Sequence, residues 1–386
     1  MHCLIVSPIA SHPQFQGNSA RIFRFGRCLQ AMGYQVHFLY YPMEGLTEAQ
    51  TRAMSETWDY FYSIPCKQTT DRMSFPGHFG IDDWCDPRIG ELAARLHKRW
   101  NYRFVMVNYV WMSGVLTALP KNVAKVLDTH DVFGDRHIRA IKAGMQPEWF
   151  YTSVEEEKRG LMRADFVAAI QDEEAEYFRS LGVPNVKTIG FISPARQVPR
   201  QPREKPVVGY IGSSNPWNVN AYKELLKALM KRPDVMDRAD FVLAGPVCNK
   251  VGKKTGPFKL LGIVPKLEDF YAAIDIAINP MLGGTGLKIK TIEALAFGRG
   301  ILSTTDGFIG IETEAEHHKL TKLDDMVDRL GTLLENNISA ETMKQESRNI
   351  FFRYQQQQAI HFQQTFSIVA KGATSVAVET VYTETI

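Results

Sequence analysis

Residues 279–298 read NPMLGGTGLKIKTIEALAFG. An apolar run ends at Asn279, and four small residues, Gly283, Gly284, Thr285 and Gly286, then open a helix expected over 286–297 and closed by Gly298. Glycines let backbone N–H groups approach a ligand, and a helix N-terminus favours an anion there. Lys288 and Lys290 fall in the first turns, where cations are disfavoured unless an anion compensates them. Glu293 follows Lys290 by three residues, so both can project from one face. A ligand bearing phosphates and hydroxyls would account for all three side chains. The plainer account is a glycine-rich turn leading into a solvated helix with a Lys290–Glu293 pair.

Outward from this stretch, short apolar runs alternate with helical patterns. Strands are expected at 3–9, 35–41, 104–110, 124–127, 166–170, 207–211, 240–244, 274–278 and 300–304. Helices are expected at 20–32, 154–163, 172–181, 221–230 and 267–273, and in long patterns from 323 to 370. Such alternation implies right-handed crossovers and parallel sheets. The stretch 194–206 has four prolines and Val198 as its one large apolar residue, and reads as a linker. The expected organisation is an α/β chain with two Rossmann-like, doubly wound domains facing a cleft. They span 1–193 and 207–346, with a helix at 347–370 returning to the first domain and a peripheral tail at 371–386.

Composition excludes several classes. The chain has 386 residues with 45% hydrophobic content, which rules out wholesale disorder. Its 45 Lys+Arg against 42 Asp+Glu leave a net charge of +3, and no basic block marks a nucleic-acid face. Five cysteines, none spaced C-x-x-C, argue against a disulfide framework or zinc knuckle. No G-x-G-x-x-G follows the first strand, which argues against a dinucleotide oxidoreductase. No ligand motif such as H-E-x-x-H suggests a bound metal. A short apolar start without a basic leader points to the cytoplasm. The sequence from Gly252 to Thr255 lacks the earlier glycine of a phosphate loop and reads as a basic surface loop. Trp58, Tyr60, Phe61, Tyr62, His78 and Trp84, with Asp82 and Asp83, fall in a region expected to be irregular. Packing explains them better than sugar stacking.

Taken together, 279–298, the turn 210–218 (YIGSSNPWN), the loop 11–21 (SHPQFQGNSAR) and the segment 127–136 (LDTHDVFGDR) resemble the GT-B-fold glycosyltransferases of the large bacterial group-1 family. The resemblance runs over most of residues 1–310. It implies a sugar transferred from a nucleotide diphosphate donor, uridine-linked, to a polysaccharide or glycolipid acceptor. A hexose, retention of configuration, no metal, and peripheral contact with the inner face of a membrane are implied with it.

It also implies roles. His130, Asp131 and Lys290 would carry the chemistry. Gly17, Asn18, Ser213, Gly284, Thr285, Gly286, Leu287 and Lys288 would hold the donor, with Glu293 on its ribose. Asp128 is a further candidate beside His130. The chain departs from the family at three places. Thr285 stands where many members carry the first glutamate of E-x7-E, and Ser213 and Asn218 stand where many carry cations, so Lys288 and Lys290 are expected to replace them. Two other readings share these residues: a sugar-nucleotide epimerase on the same fold, and a non-catalytic sugar-nucleotide-binding subunit.

Overall fold

A computed structural model describes residues 1–14, 16–67, 70–199, 203–252, 255–284, 286–335 and 340–369. Thr285, Lys253, Lys254, part of the proline-rich stretch and the tail from 371 lie outside the described residues. Over the described residues the chain divides into two compact units, Met1–Ile192 with 358–369, and Ser193–Gln357.

The first unit is built on seven strands: β1 (His2–Ser7), β2 (Gln35–Tyr40), β3 (Tyr60–Ser63), β4 (Phe104–Asn108), β5 (Ala124–Asp128), β6 (Phe166–Ala169) and β7 (Val186–Thr188). All pair in parallel, in the order β3-β2-β1-β4-β5-β6-β7. Residues Cys3 to Val6 and Phe104 to Val107 are fully buried. This is why the central strands read as unbroken apolar runs and not as alternation. The second unit has β8 (Val207–Ile211), β9 (Asp240–Ala244), β10 (Phe258–Gly262), β11 (Ile276–Asn279) and β12 (Gly300–Ser303), also all parallel, in the order β10-β9-β8-β11-β12.

In each unit the strand order reverses direction once, between β1 and β4 and between β8 and β11. Ligands of open parallel sheets bind beyond the carboxyl ends of the strands at such a switch point. Loops leaving β1, β4 and β5, and loops leaving β8 and β11, are therefore where function is to be sought.

Of the sequence expectations, the start of the helix after β11 is corrected. The region holding Asp82 to Trp84 is flanked by helices Glu48–Thr57 and Pro87–Trp100. Its two tryptophans fill the core, Trp58 at 3% exposed and Trp84 at 4% against Phe79, Trp111 and Phe150, whereas Tyr60, Phe61, Tyr62 and His78 are half-buried. Asp82 is paired with Arg163. The helix expected from Gly286 begins at Ile289, because Gly286 has φ +75° and cannot start it. One helix, Ala340–Val369, ends the described chain, and its Phe362 and Phe366 pack on Phe25 and Phe104 in the first unit. All five cysteines are free thiols.

Candidate active site

In the second unit, the turn after β8 and the loop after β11 meet at the switch point. Helix Pro216–Leu229 follows β8, capped by Asn215, whose side chain accepts the Asn218 N–H at 2.8 Å. This cap turns the Asn218 side chain inward. Its Nδ2 donates to Ser213 Oγ at 2.9 Å, and its Oδ1 accepts from Lys290 Nζ and, at 3.1 Å, from the Tyr210 hydroxyl. The Lys290 ammonium also lies 4.9 Å from the centre of the Tyr210 ring, a cation–π contact. Burial, helped by the charge of Lys288, lowers the Lys290 pKa to about 7, with Glu293 opposing.

Beside this line lies the glycine loop. Gly283, Gly284 and Gly286 all have positive φ. A Cβ on Gly283 would sit 2.8 Å from the Trp217 ring, so packing as well as backbone conformation demands glycine there. Asp306 accepts the Gly283 N–H at 2.7 Å and latches the loop to the segment after β12. Leu287 is buried. Lys288, at the start of the helix Ile289–Ala296, is also buried and donates to the Gly286 carbonyl at 2.7 Å. Its amine thus braces the loop from within. Glu293 is half-buried on the same helix, close enough to raise the Tyr271 pKa further after burial. Thr285 lies outside the described residues.

The first unit gathers a second cluster. Asp128 ends β5, fully buried, and Arg21, 1% exposed, grips it: Nε reaches both carboxylate oxygens at 3.0–3.1 Å and Nη2 reaches Oδ1 at 2.6 Å. The same guanidinium donates to the carbonyls of Ile189 and Gly190 at 2.8 Å each. His130 follows with φ +63°, stacked on Tyr109 at 4.2 Å between ring centres; Tyr109 itself has φ +73°. Left-handed backbone is tolerable for histidine but strained for a bulky tyrosine, and such strain concentrates at functional sites.

Asn108, ending β4, donates from Nδ2 to the Val6 carbonyl at 3.0 Å, which turns its Oδ1 toward His130 Nε2 at 2.9 Å. That nitrogen must therefore carry the proton, and Nδ1 keeps the lone pair. Burial lowers the His130 pKa to about 4. Asp128, 3.3 Å away, pulls the other way, but the Arg21 charge works against it. The imidazole is neutral at pH 7.

Asn18, in the first turn of the helix Gly17–Ala31, donates to the Tyr109 hydroxyl at 3.0 Å, and Gly17 is that helix's first residue. Asp131 accepts the Val132 N–H at 2.9 Å and pairs with Arg136 at 3.3 Å, so it shapes its own loop.

Of the expected residues, Ser213, Lys290, Gly284, Gly286, Leu287, Lys288 and Glu293 belong to the second unit's loop and helix, whereas Asn18, His130 and Asp128 join one network in the first. Arg21, Asn108 and Tyr109 were missed as site residues. Arg21 alone left a trace in sequence: a charge on the apolar face of a helix whose neighbours are Ile22, Phe25 and Leu29.

Residues 205–336 match the family described as glycosyl transferases group 1, and residues 16–190 match a glycosyl transferase 4-like domain. The chain is a GT-B glycosyltransferase. Its two sheets are shared by solved structures of low sequence identity. A sucrose-phosphate synthase from Thermosynechococcus elongatus is 15% identical, with 95% of this glycosyltransferase and 100% of that chain covered and a TM-score of 0.66. Anabaena HepE, solved with UDP and glucose, is 13% identical over 96% and 100%, with a TM-score of 0.66. A variant of S. aureus TarM, solved with fondaparinux, alpha-GlcNAc-glycerol and UDP, is 10% identical over 95% and 100%, with a TM-score of 0.69. No curated protein sequence matches the glycosyltransferase. Among its described residues no helix is long and apolar enough to cross a membrane.

Proposed function

We propose that the enzyme transfers a hexose from a uridine diphosphate sugar to a hydroxyl of a polysaccharide or glycolipid, with retention of configuration. The observation that carries this reading is the line Ser213–Asn218–Lys290 at the second switch point, beside a loop with three glycines of positive φ. The UDP held by HepE and TarM supports the choice of nucleotide.

In this reading Lys290 meets the charge that grows on the diphosphate as the glycosidic C–O bond breaks, assisted by N–H groups between Gly284 and Leu287. Such charge neutralisation needs no metal ion. Glu293 holds the ribose hydroxyls, a contact that does not change during reaction. Lys288 keeps the loop in shape and does not touch the donor. The acceptor oxygen bonds to the anomeric carbon on the face the diphosphate leaves, and its proton passes to a phosphate oxygen. His130, neutral with Nδ1 unprotonated, accepts a hydrogen bond from a hydroxyl of the donor sugar. Asp131, with Arg136, holds the loop that carries it. Gly17 and Asn18 position Tyr109, on which His130 stacks. Activity on such acceptors places the enzyme in the cytoplasm at the inner face of a membrane.

The test is a thermal-shift series of nucleotide sugars with and without chelator, followed by product analysis. The expected result is stabilisation by UDP that survives chelation, and slow release of UDP and free sugar when no acceptor is present. Conversion of the sugar nucleotide to an isomer would make the protein an epimerase. Binding without turnover would make it a sugar-nucleotide-binding subunit. Either result rejects transfer.

A further inference from the structure

The second unit holds a cluster that none of the donor-binding residues joins. The turn Glu316–His318, which follows β12, lies beside the helix Ala340–Val369. One ligand atom each from His317, His318 and Glu346 fall within 4.8 Å of one another. His317 Nε2 is 3.1 Å from Glu346 Oε2. Yet neither that nitrogen nor His318 Nε2 has a hydrogen-bond partner of proper geometry, although both are buried. His318 is only 1% exposed and its ring is stacked on Phe308, 4.0 Å between centres. Buried imidazole nitrogens are ordinarily satisfied, so two orphans at one point call for a missing partner.

We propose that His317, His318 and Glu346 bind a divalent transition-metal ion of the zinc type, tying the turn after β12 to the C-terminal helix. Two imidazoles and a carboxylate are a donor set that zinc accepts, with the fourth position left to water. Metal–ligand bonds of about 2.0–2.1 Å in a tetrahedron place neighbouring ligand atoms about 3.3 Å apart. The His317–Glu346 separation of 3.1 Å is already near that value.

A contact this short that lacks hydrogen-bond geometry is what two ligands aimed at a common third point would show. Support comes from behind. His318 Nδ1 lies 2.8 Å from Thr313 Oγ1, and a proton donated there frees Nε2 as a ligand, the arrangement that orients metal-bound histidines. An open recess of about 680 Å3, lined by Thr313, Glu314, Thr342, Glu346, Asn349 and Arg353, gives an ion a way in. The Arg329 guanidinium also acts on His317, so the Glu346 carboxylate is the charge that makes a cation tolerable there.

The experiment uses the full chain, stripped of metal and titrated with Co2+ and then Zn2+. The expected result is one equivalent bound per chain, a visible ligand-field spectrum with Co2+, and a raised melting temperature with either ion. Glu346→Gln and His317→Gln should each weaken binding by about 10- to 100-fold. Glu346 is a third exposed, so Glu346→Gln should keep the metal-free melting temperature and remain a fair test if the histidine variant does not fold. No saturable binding at micromolar metal would overturn the proposal. So would binding undiminished in both variants, which would place the ion elsewhere, for example at the His2–His37 pair, whose ring nitrogens are 3.0 Å apart.

Discussion

The Lys290 ammonium donates its hydrogen bond to Oδ1 of Asn218, and the same amide passes the contact on to Ser213. Positions 213 and 218, where the family resemblance leads one to expect cations, are thus joined to Lys290, which reaches them from the first turn of the helix Ile289–Ala296. The line fixes where the amine points. The Tyr210 ring and hydroxyl fix it from a second side.

Donor affinity should therefore depend on pH in a particular direction. The Lys290 pKa is lowered to about 7 by burial and by Lys288, whereas a bound diphosphate favours the charged amine. Binding takes up a proton, so affinity for UDP should be full below pH 7. It should fall by up to about tenfold per pH unit above it. Lys290→Arg keeps its charge throughout and should flatten the curve. Calorimetric titration from pH 6 to about 8.5 is the measurement, and an identical slope in both proteins would remove Lys290 from the phosphate site.

His130 should behave differently. Its pKa is lowered to about 4, chiefly by burial, so it does not change charge in the physiological range. The kcat/KM profile should show no ionisation of this residue above about pH 5. His130→Ala should lower kcat by ~10²–10³-fold while UDP affinity stays close to wild type, since the proposed UDP site is built from residues of the other unit. An inflection near the ordinary histidine pKa that disappears in the variant would show instead that His130 works as a base.

The Arg21–Asp128 pair should be costly to break. Both partners are buried, and Asp128→Ala would strand a guanidinium in the interior. The expected loss is about 3–5 kcal/mol, seen as a lower denaturation midpoint. Asp128→Asn keeps the shape and one acceptor and should lose less. Equal, small losses in both variants would mean that the carbonyls of Ile189 and Gly190 suffice to hold Arg21.

Phe366 is fully buried against Phe25 and Phe104. Phe366→Ala should destabilise the first unit by about 3–5 kcal/mol. Truncation ahead of Ser347 should do more, because Phe362 and Gln358 leave with it; Gln358 Oε1 accepts the Gly190 N–H at 2.6 Å. Hydrogen exchange resolved by segment would report the loss in β4 and β7. Unchanged protection there would refute the account.

How far the sequence could be read follows from where information is local. Val207–Ile211 and Asp240–Ala244 carry the bounds expected of them, since strands buried on both faces are continuous apolar runs. Tyr60–Ser63 and Phe258–Gly262 escaped reading. They are sheet edges whose side chains, Phe258 apart, are half-exposed or exposed, with no comparable run. The loop after β11 was legible because glycines, lysines and a carboxylate lie within one stretch. The network around His130 was only half legible. Arg21 and Asp128 are 107 positions apart, and no spacing rule links them. Asn108 and Tyr109 look like the end of an apolar strand until β1 is placed beside them.

The helix Ala340–Val369 makes the first unit dependent on residues synthesised after the second unit. Phe362, Phe366 and Gln358 complete a core begun at Cys3, so a nascent chain emerging from the ribosome cannot finish its amino-terminal unit on its own. It must wait while the whole second unit is translated, roughly 10 to 30 s at ordinary elongation rates. During that interval the faces of Phe25 and Phe104 are exposed, and the carbonyls that anchor Arg21 are unsupported. Completion of the first unit therefore follows synthesis of the second, and the Arg21–Asp128 pair beside His130, braced through Gly190, has its full support only once that helix is in place.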